Sequence, residues 1–170
     1  MKHVFIVNFL GKASSTTIKH LAAITHNNDG KWLISKVNFI DDQVAGVIKI
    51  ELPEENVSVV KEAFFACQDL IVKFVESQSP IEREDMVFKV RLDAGDRAGI
   101  VNEVTSILDS QAISILDMDC QRVFIANGVG VSASLFSAAM ALKLPSELNI
   151  EDIANELESL SEDTRVMVAS

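Results

Sequence analysis

The sequence predicts an α+β protein built from two βαββαβ units in tandem, each with an antiparallel sheet. Short runs of alternating apolar residues suit half-buried strands, and longer runs with apolar residues at i, i+3 and i+4 suit amphipathic helices. These runs follow the order strand, helix, strand, strand, helix, strand before residue 77, and the same order then returns. Landmarks repeat at a fixed offset: Val87-Phe88 lies 83 residues after Val4-Phe5, and Ile100-Val101 lies 83 after Thr17-Ile18. A βαββαβ order is that of the ferredoxin-like fold.

The first unit opens on Val4, Phe5, Ile6, Val7, Phe9 and Leu10, a β-rich run ended by Gly11. A hydroxyl-rich loop at 12–17 offers N-caps to a helix carrying Ile18, Leu21 and Ala22, which stops at Asn27-Asn28-Asp29-Gly30. Strands follow at 32–40 and 44–52 across the turn Asp41-Asp42-Gln43, and Pro53 closes the second. Glu54 and Glu55 suit the first turn of a helix, where the dipole favours negative charge, and Val57, Val60 and Phe64 form its stripe. Leu70, Val72 and Phe74 alternate in the last strand. The domains predicted are therefore 1–77 and 85–170, joined by a polar, proline-containing linker at 78–84.

The second unit begins with Met86, Phe88, Val90 and Leu92, then a small-residue loop, then a helix stripe of Ile100, Val104, Ile107 and Leu108. A strand covers 113 to about 123. Leu142-Lys143-Leu144-Pro145 matches Ile50-Glu51-Leu52-Pro53 at an offset of 92 instead of 83, which places about nine extra residues between the second and third strands. Asn127-Gly128 marks the expected turn of this longer hairpin. Asn149 can cap the last helix, whose stripe is Ile150, Ile153, Ala154, Leu157 and Leu160, and 164–168 reads as the closing strand.

Composition bounds the function. A hydrophobic fraction of 48% with 7 Gly and 3 Pro in 170 residues belongs to a globular protein with a core. No signal-peptide h-region opens the chain and no apolar run is long enough to span a bilayer, so a cytoplasmic protein without membrane attachment is expected. The net charge is −10, with 9 Lys/Arg against 11 Asp/Glu in residues 1–84 and 6 against 14 in residues 85–170. Such a surface repels phosphate backbones, which excludes direct nucleic-acid binding as the expected role. Cys67 and Cys120 have no partner at metal-ligand spacing and read as small core residues.

Chemistry-bearing residues are few. His3, His20 and His26 show no helix-compatible ligand spacing, and neither a phosphate-binding G-x-x-x-x-G-K-[ST] loop nor a G-x-S-x-G elbow is present. Asp117 and Asp119 share one strand face, as solvent-facing residues of a sheet often do. No catalytic residue, metal site or cofactor is therefore expected. The informative stretch is Asp96-Arg97-Ala98-Gly99-Ile100, between a strand and a helix. Asp96 is placed to cap the helix, Arg97 to be a solvated charge, and Gly99 to allow close helix–strand packing. The amides from Ala98 to Ile100 could face the carboxylate of an amino acid at the helix N-terminus.

Asp-Arg-x-Gly-Ile between the first strand and first helix of a βαββαβ unit resembles the ACT domain, a small regulatory amino-acid-binding module. Ser114-Ile115 stands where that family often has Asn-Ile. The chain as a whole, two such units, is similar to the glycine cleavage system transcriptional repressor family. The resemblance implies a non-enzymatic regulator that binds a small amino acid, glycine in that family, at Asp96, Arg97, Ala98, Gly99, Ile100, Ser114 and Ile115. It also implies a homo-oligomer that acts by contacting a DNA-binding activator, not DNA. The matching loop of the first unit, Ala13-Ser14-Ser15-Thr16-Thr17, lacks Asp-Arg and the second glycine and is expected to be degenerate. Alternatives are a regulatory subunit of an amino-acid biosynthetic enzyme and an acylphosphatase-like hydrolase using Arg97 and Asn102.

Overall fold

The alternation of the opening run becomes β1 (Lys2–Lys12) in the computed structural model, which describes residues 1–77, 86–128 and 130–169. Phe5, Val7 and Phe9 of β1 are buried on one face. Then come α1 (Ser15–Asn27), β2 (Lys31–Ile40) and β3 (Gln43–Pro53). A single 3-10 turn at Glu54–Asn56, carrying the two glutamates, leads into α2 (Val57–Phe65), and β4 (Leu70–Glu76) completes the set. The second set is β5 (Met86–Gly95), α3 (Ile100–Ser110), β6 (Ser114–Asn127), β7 (Gly130–Leu144), α4 (Ile150–Glu158) and β8 (Arg165–Val168).

Each set forms its own four-stranded antiparallel sheet, in the order β2-β3-β1-β4 and β6-β7-β5-β8. The chain divides accordingly into two compact units, Met1–Ile81 and Glu82–Ser170. The fold is thus α+β and ferredoxin-like, twice over. The linker expected at 78–84 lies outside the described residues.

In each unit the two helices lie on one face of the sheet and bury the stripes read from the sequence. Leu21 of α1 and Val60 and Phe64 of α2 close over Phe5, Val7, Phe9, Ile48 and Ile50. Ile100, Val104 and Leu108 of α3 and Ile153 and Leu157 of α4 do the same over Val90, Leu92, Ala138 and Leu142. Thr25, only 2% exposed, is satisfied inside this layer: its hydroxyl donates to Leu21 O (3.0 Å) and accepts from the Trp32 indole (3.0 Å).

The repeat conserves volume, not residue type. Cross-strand neighbours Phe9 and Gly46 in the first unit correspond to Leu92 and Ala138 in the second. A Cβ on Gly46 would fall 2.2 Å from Cζ of Phe9, so the aromatic ring fills the space that a side chain on β3 would take. Interiors close-packed in this way tolerate a swap that keeps total volume and resist one that changes it.

Two features differ from expectation or extend it. Cys120 is exposed: it lies on the helix-facing side of β6, but in a stretch that the helices leave open. The insertion of about nine residues lengthens the β6–β7 hairpin, as its 14- and 15-residue strands show. Beyond the last β5 pair, Gly95 with Leu135, the hairpin continues as a two-stranded arm to the pair Asn127–Gly130, with Gly128 in its turn.

Trp32 is the only tryptophan, so its emission reports the first unit alone. Gly46→Ala should destabilise that unit by about 1–3 kcal/mol in urea unfolding followed at Trp32, the cost of overpacking. Adding Phe9→Leu, which copies the pairing of the second unit, should recover most of the loss.

Candidate functional site

β5 is a central strand, and its last residues decide how the chain enters α3. The Asp96 amide donates to Ser134 O (3.1 Å), holding the chain against β7. The Asp96 carboxylate accepts from Arg122 Nε at both oxygens (3.0 and 3.1 Å) and from the Ser134 hydroxyl (3.2 Å). Asp96 therefore does not cap α3. Its oxygens are taken by the root of the hairpin arm, and the N-cap of the helix is Gly99, with φ +84°. That left-handed conformation suits glycine, because any Cβ there would meet its own backbone.

Gly99 is not a packing glycine either: beyond its own backbone and its two chain neighbours, no described atom lies within 4 Å of where its Cβ would be, so the space beside it is open. Ala98 and Gly99 are exposed, and among the described residues their amides have no hydrogen-bond acceptor. Gly99 O accepts the first helical bond, from the Glu103 amide (3.0 Å). Ile100 is 1% exposed and belongs to the core, so only its backbone faces the loop. Arg97 is not simply solvated; its guanidinium pairs with Glu103, one turn into the helix.

Comparing the two units isolates what is special here. With the offset of 83, Gly99 corresponds to Thr16, yet α1 begins at Ser15 and α3 only at Ile100. In the first unit Ser14 is the N-cap, and its amide donates to Thr17 Oγ1 (3.4 Å), so this hydroxyl-rich loop is used up in starting its helix. Both loops are tied at the same place, since Ala13 N donates to Asp42 O (3.2 Å) as Asp96 N does to Ser134 O. The later helix start in the second unit leaves two extra residues outside the helix, with their amides unspent.

Ser114 and Ile115 lie elsewhere. Ser114 pairs with Lys143 of β7, eight residues along that strand from Leu135, the partner of Gly95. At about 3.3 Å per residue this is roughly 26 Å, the opposite end of the sheet. The unit therefore brings residues 96–100 together and keeps Ser114 and Ile115 apart from them. Arg122, Ser134, Glu103 and Asp163, which hold the loop, were not legible as site residues. Only Glu103, within one helical turn, stands close enough in sequence to signal its role.

Asp163 ties the loop from the other side. Its carboxylate accepts from Ser161 Oγ (2.6 Å) and from the Gly95 amide (3.0 Å). The Ser161 hydroxyl, the Gly95 amide and nearby Arg97 hold its carboxyl below the usual aspartate range, against a smaller opposing effect of burial. Arg97 likewise lowers Glu103, and Glu103 raises Arg97. Among the described residues no group of three or more His, Cys, Asp or Glu could hold a metal ion, and no helix is long and apolar enough to cross a membrane.

A carboxyl depressed in the folded state contributes stability above its unfolded pKa and loses it as pH falls through the folded value. The Gly95 amide resonance should thus titrate with a midpoint below the ordinary aspartate value of about 3.9, and Asp163→Asn should abolish that titration.

No protein-family model and no curated protein matches this sequence. Solved structures do match in shape. An unknown protein from Galdieria sulphuraria superposes with a TM-score of 0.82 at 14% identity, over 99% of this chain and 98% of that one. A protein described as a candidate glycine cleavage system transcriptional repressor superposes with a TM-score of 0.68 at 12% identity, over 100% of this chain and 99% of that one. At such identities the likeness is one of fold, and it extends over both units. In fold, this chain is a tandem of two ferredoxin-like βαββαβ units.

Proposed function

We propose that the protein is a non-enzymatic cytoplasmic regulator that senses a small amino acid, glycine first among them, at the loop before α3. One observation carries this reading: the helix begins late, at a left-handed Gly99, leaving the Ala98 and Gly99 amides unspent beside open space. Free amides at the positive end of a helix dipole suit a carboxylate. The ligand-facing groups are then the backbone from Ala98 to Ile100, with Asp96 and Arg97 holding the loop through Arg122 and Glu103. Ser114 and Ile115 enter this site only from another copy of the chain, in a homo-oligomer.

The downstream partner in this reading is a DNA-binding activator of glycine cleavage genes, contacted as a protein. The charge of −10 supports contact with protein over contact with DNA, and the full-length likeness in fold to a candidate repressor of that system supports the biological setting. The Asp96–Arg122 pair gives binding a route outward, because it links the loop to the root of the hairpin arm. Effector binding would shift the populations of two arrangements of that arm by its difference in affinity for them. The hydrolase alternative gains nothing from the geometry, since Arg97 is committed to Glu103.

Isothermal titration of the full chain with glycine, alanine and serine tests the sensing step. Heat is expected for at least one of them, and folded protein giving none would refute it. Gly99→Ala, which forces a Cβ into a left-handed position, should weaken binding at least tenfold, about 1.4 kcal/mol. Thr16→Ala, at the matching place in the first unit, should leave it unchanged. Arg122→Ala should weaken binding less than Gly99→Ala does, by freeing Asp96 without altering the amides.

A further inference from the structure

The helices cover one face of the second sheet, and the other face carries an ordered arrangement of charge. Two adjacent rows cross it from β6 to β8: Asp117, Ala141, Lys89, Ala169, and then Asp119, Ala139, Arg91, Met167. These residues line a depression of about 510 Å³, and all but the half-buried Ala141 are exposed, Met167 at 57%. Its floor along β7 is alanine. One wall, on β6, holds two carboxylates, and the other, on β5, holds two cations. Among the described residues Asp117, Asp119 and Lys89 belong to no ion pair, while Arg91 leans on Asp93 through Nε (3.2 Å).

We propose that this face binds the same face of a second copy, about a two-fold axis running along β7. Turning the sheet over about that axis sets β5 of one protomer over β6 of the other at the same height. Lys89 then meets Asp117 and Arg91 meets Asp119, and the reciprocal pairs form by symmetry, as an isologous interface requires. Ala139 and Ala141 lie on the axis, where short side chains let the two sheets approach to the usual packing distance of about 10 Å.

The charges also select the axis. An axis in the same plane but across the strands would set every strand over its own copy, carboxylate against carboxylate and cation against cation. Lys143, at the end of the alanine row, is engaged within its own chain. The corresponding face of the first unit does not offer this match: it mixes Leu10, Val47, Ile71 and Val75 with Lys49 and Lys73, and self-pairing there would oppose like charges. The proposal is independent of the amino-acid reading.

The test is sedimentation of the full chain over a wide concentration series at low salt, with circular dichroism confirming the fold of each variant. Wild type should show a dimer that weakens as salt rises. Asp117→Lys/Asp119→Lys makes the charges of the two rows wholly cationic, and Lys89→Glu/Arg91→Glu makes them wholly anionic. Each should sediment at half the wild-type mass alone, and an equimolar mixture of the two should restore the dimer. Carrying all four substitutions in one chain should restore self-association. A wild type that stays monomeric, variants that keep the wild-type mass, or a mixture that stays monomeric would each overturn the proposal.

Discussion

Both units depend on one constraint: two helices can cover only one face of a four-stranded antiparallel sheet. That face is apolar, with Phe5, Val7 and Phe9 in one unit and Val90, Leu92 and Ala94 in the other at or near zero exposure. Burial of such side chains is the main favourable term in folding. The opposite face is left to carry surface residues, and the ends of the central strands become places where the chain must turn from sheet to helix. Everything with functional promise here sits at one of these two places.

At the sheet-to-helix turn the two units make different use of similar backbone anchors. The first spends its loop on starting a helix at once, with Ser14 and Thr17 in reciprocal roles near the cap. The second holds its loop away from the helix by three ties, Arg122 and Ser134 on Asp96, Asp163 on Gly95, and Glu103 on Arg97. These ties come from the hairpin, the turn before β8 and the helix itself. A loop fixed from three sides with two amides unspent has little conformational freedom left to lose, which supports the proposal that it receives a small anionic group.

The elements were legible in the sequence because periodicity is local. Stripes such as Ile100-Val104-Leu108 and alternations such as Leu70-Val72-Phe74 report burial directly, and the offset of 83 rising to 92 located the longer hairpin. Asp96 was misread for the same reason that the elements were read well. An aspartate just before a helix is locally a good cap, but Arg122, distant in sequence, competes for its oxygens and wins through a charge-assisted pair. Gly99 looked like a packing glycine because sequence does not report open space. Cys120 read as a small core residue, but β6 is the edge strand of its sheet, and in that row the fully buried residues are Ala138 and Leu92 on the two inner strands. The distance between the loop and Ser114 follows from strand register, which the pattern of the chain does not fix.

The central claim is that the amides before α3 in the second unit, and not those before α1 in the first, receive a small amino acid. Titrating glycine into isotopically labelled protein and following backbone amides by NMR addresses it residue by residue. Saturable shifts should concentrate at Ala98, Gly99 and Ile100 and spread to Arg122 through Asp96, leaving Ser15, Thr16 and Thr17 unmoved. Equal shifts at both loops, or saturable shifts that leave residues 98–100 unmoved, would contradict it.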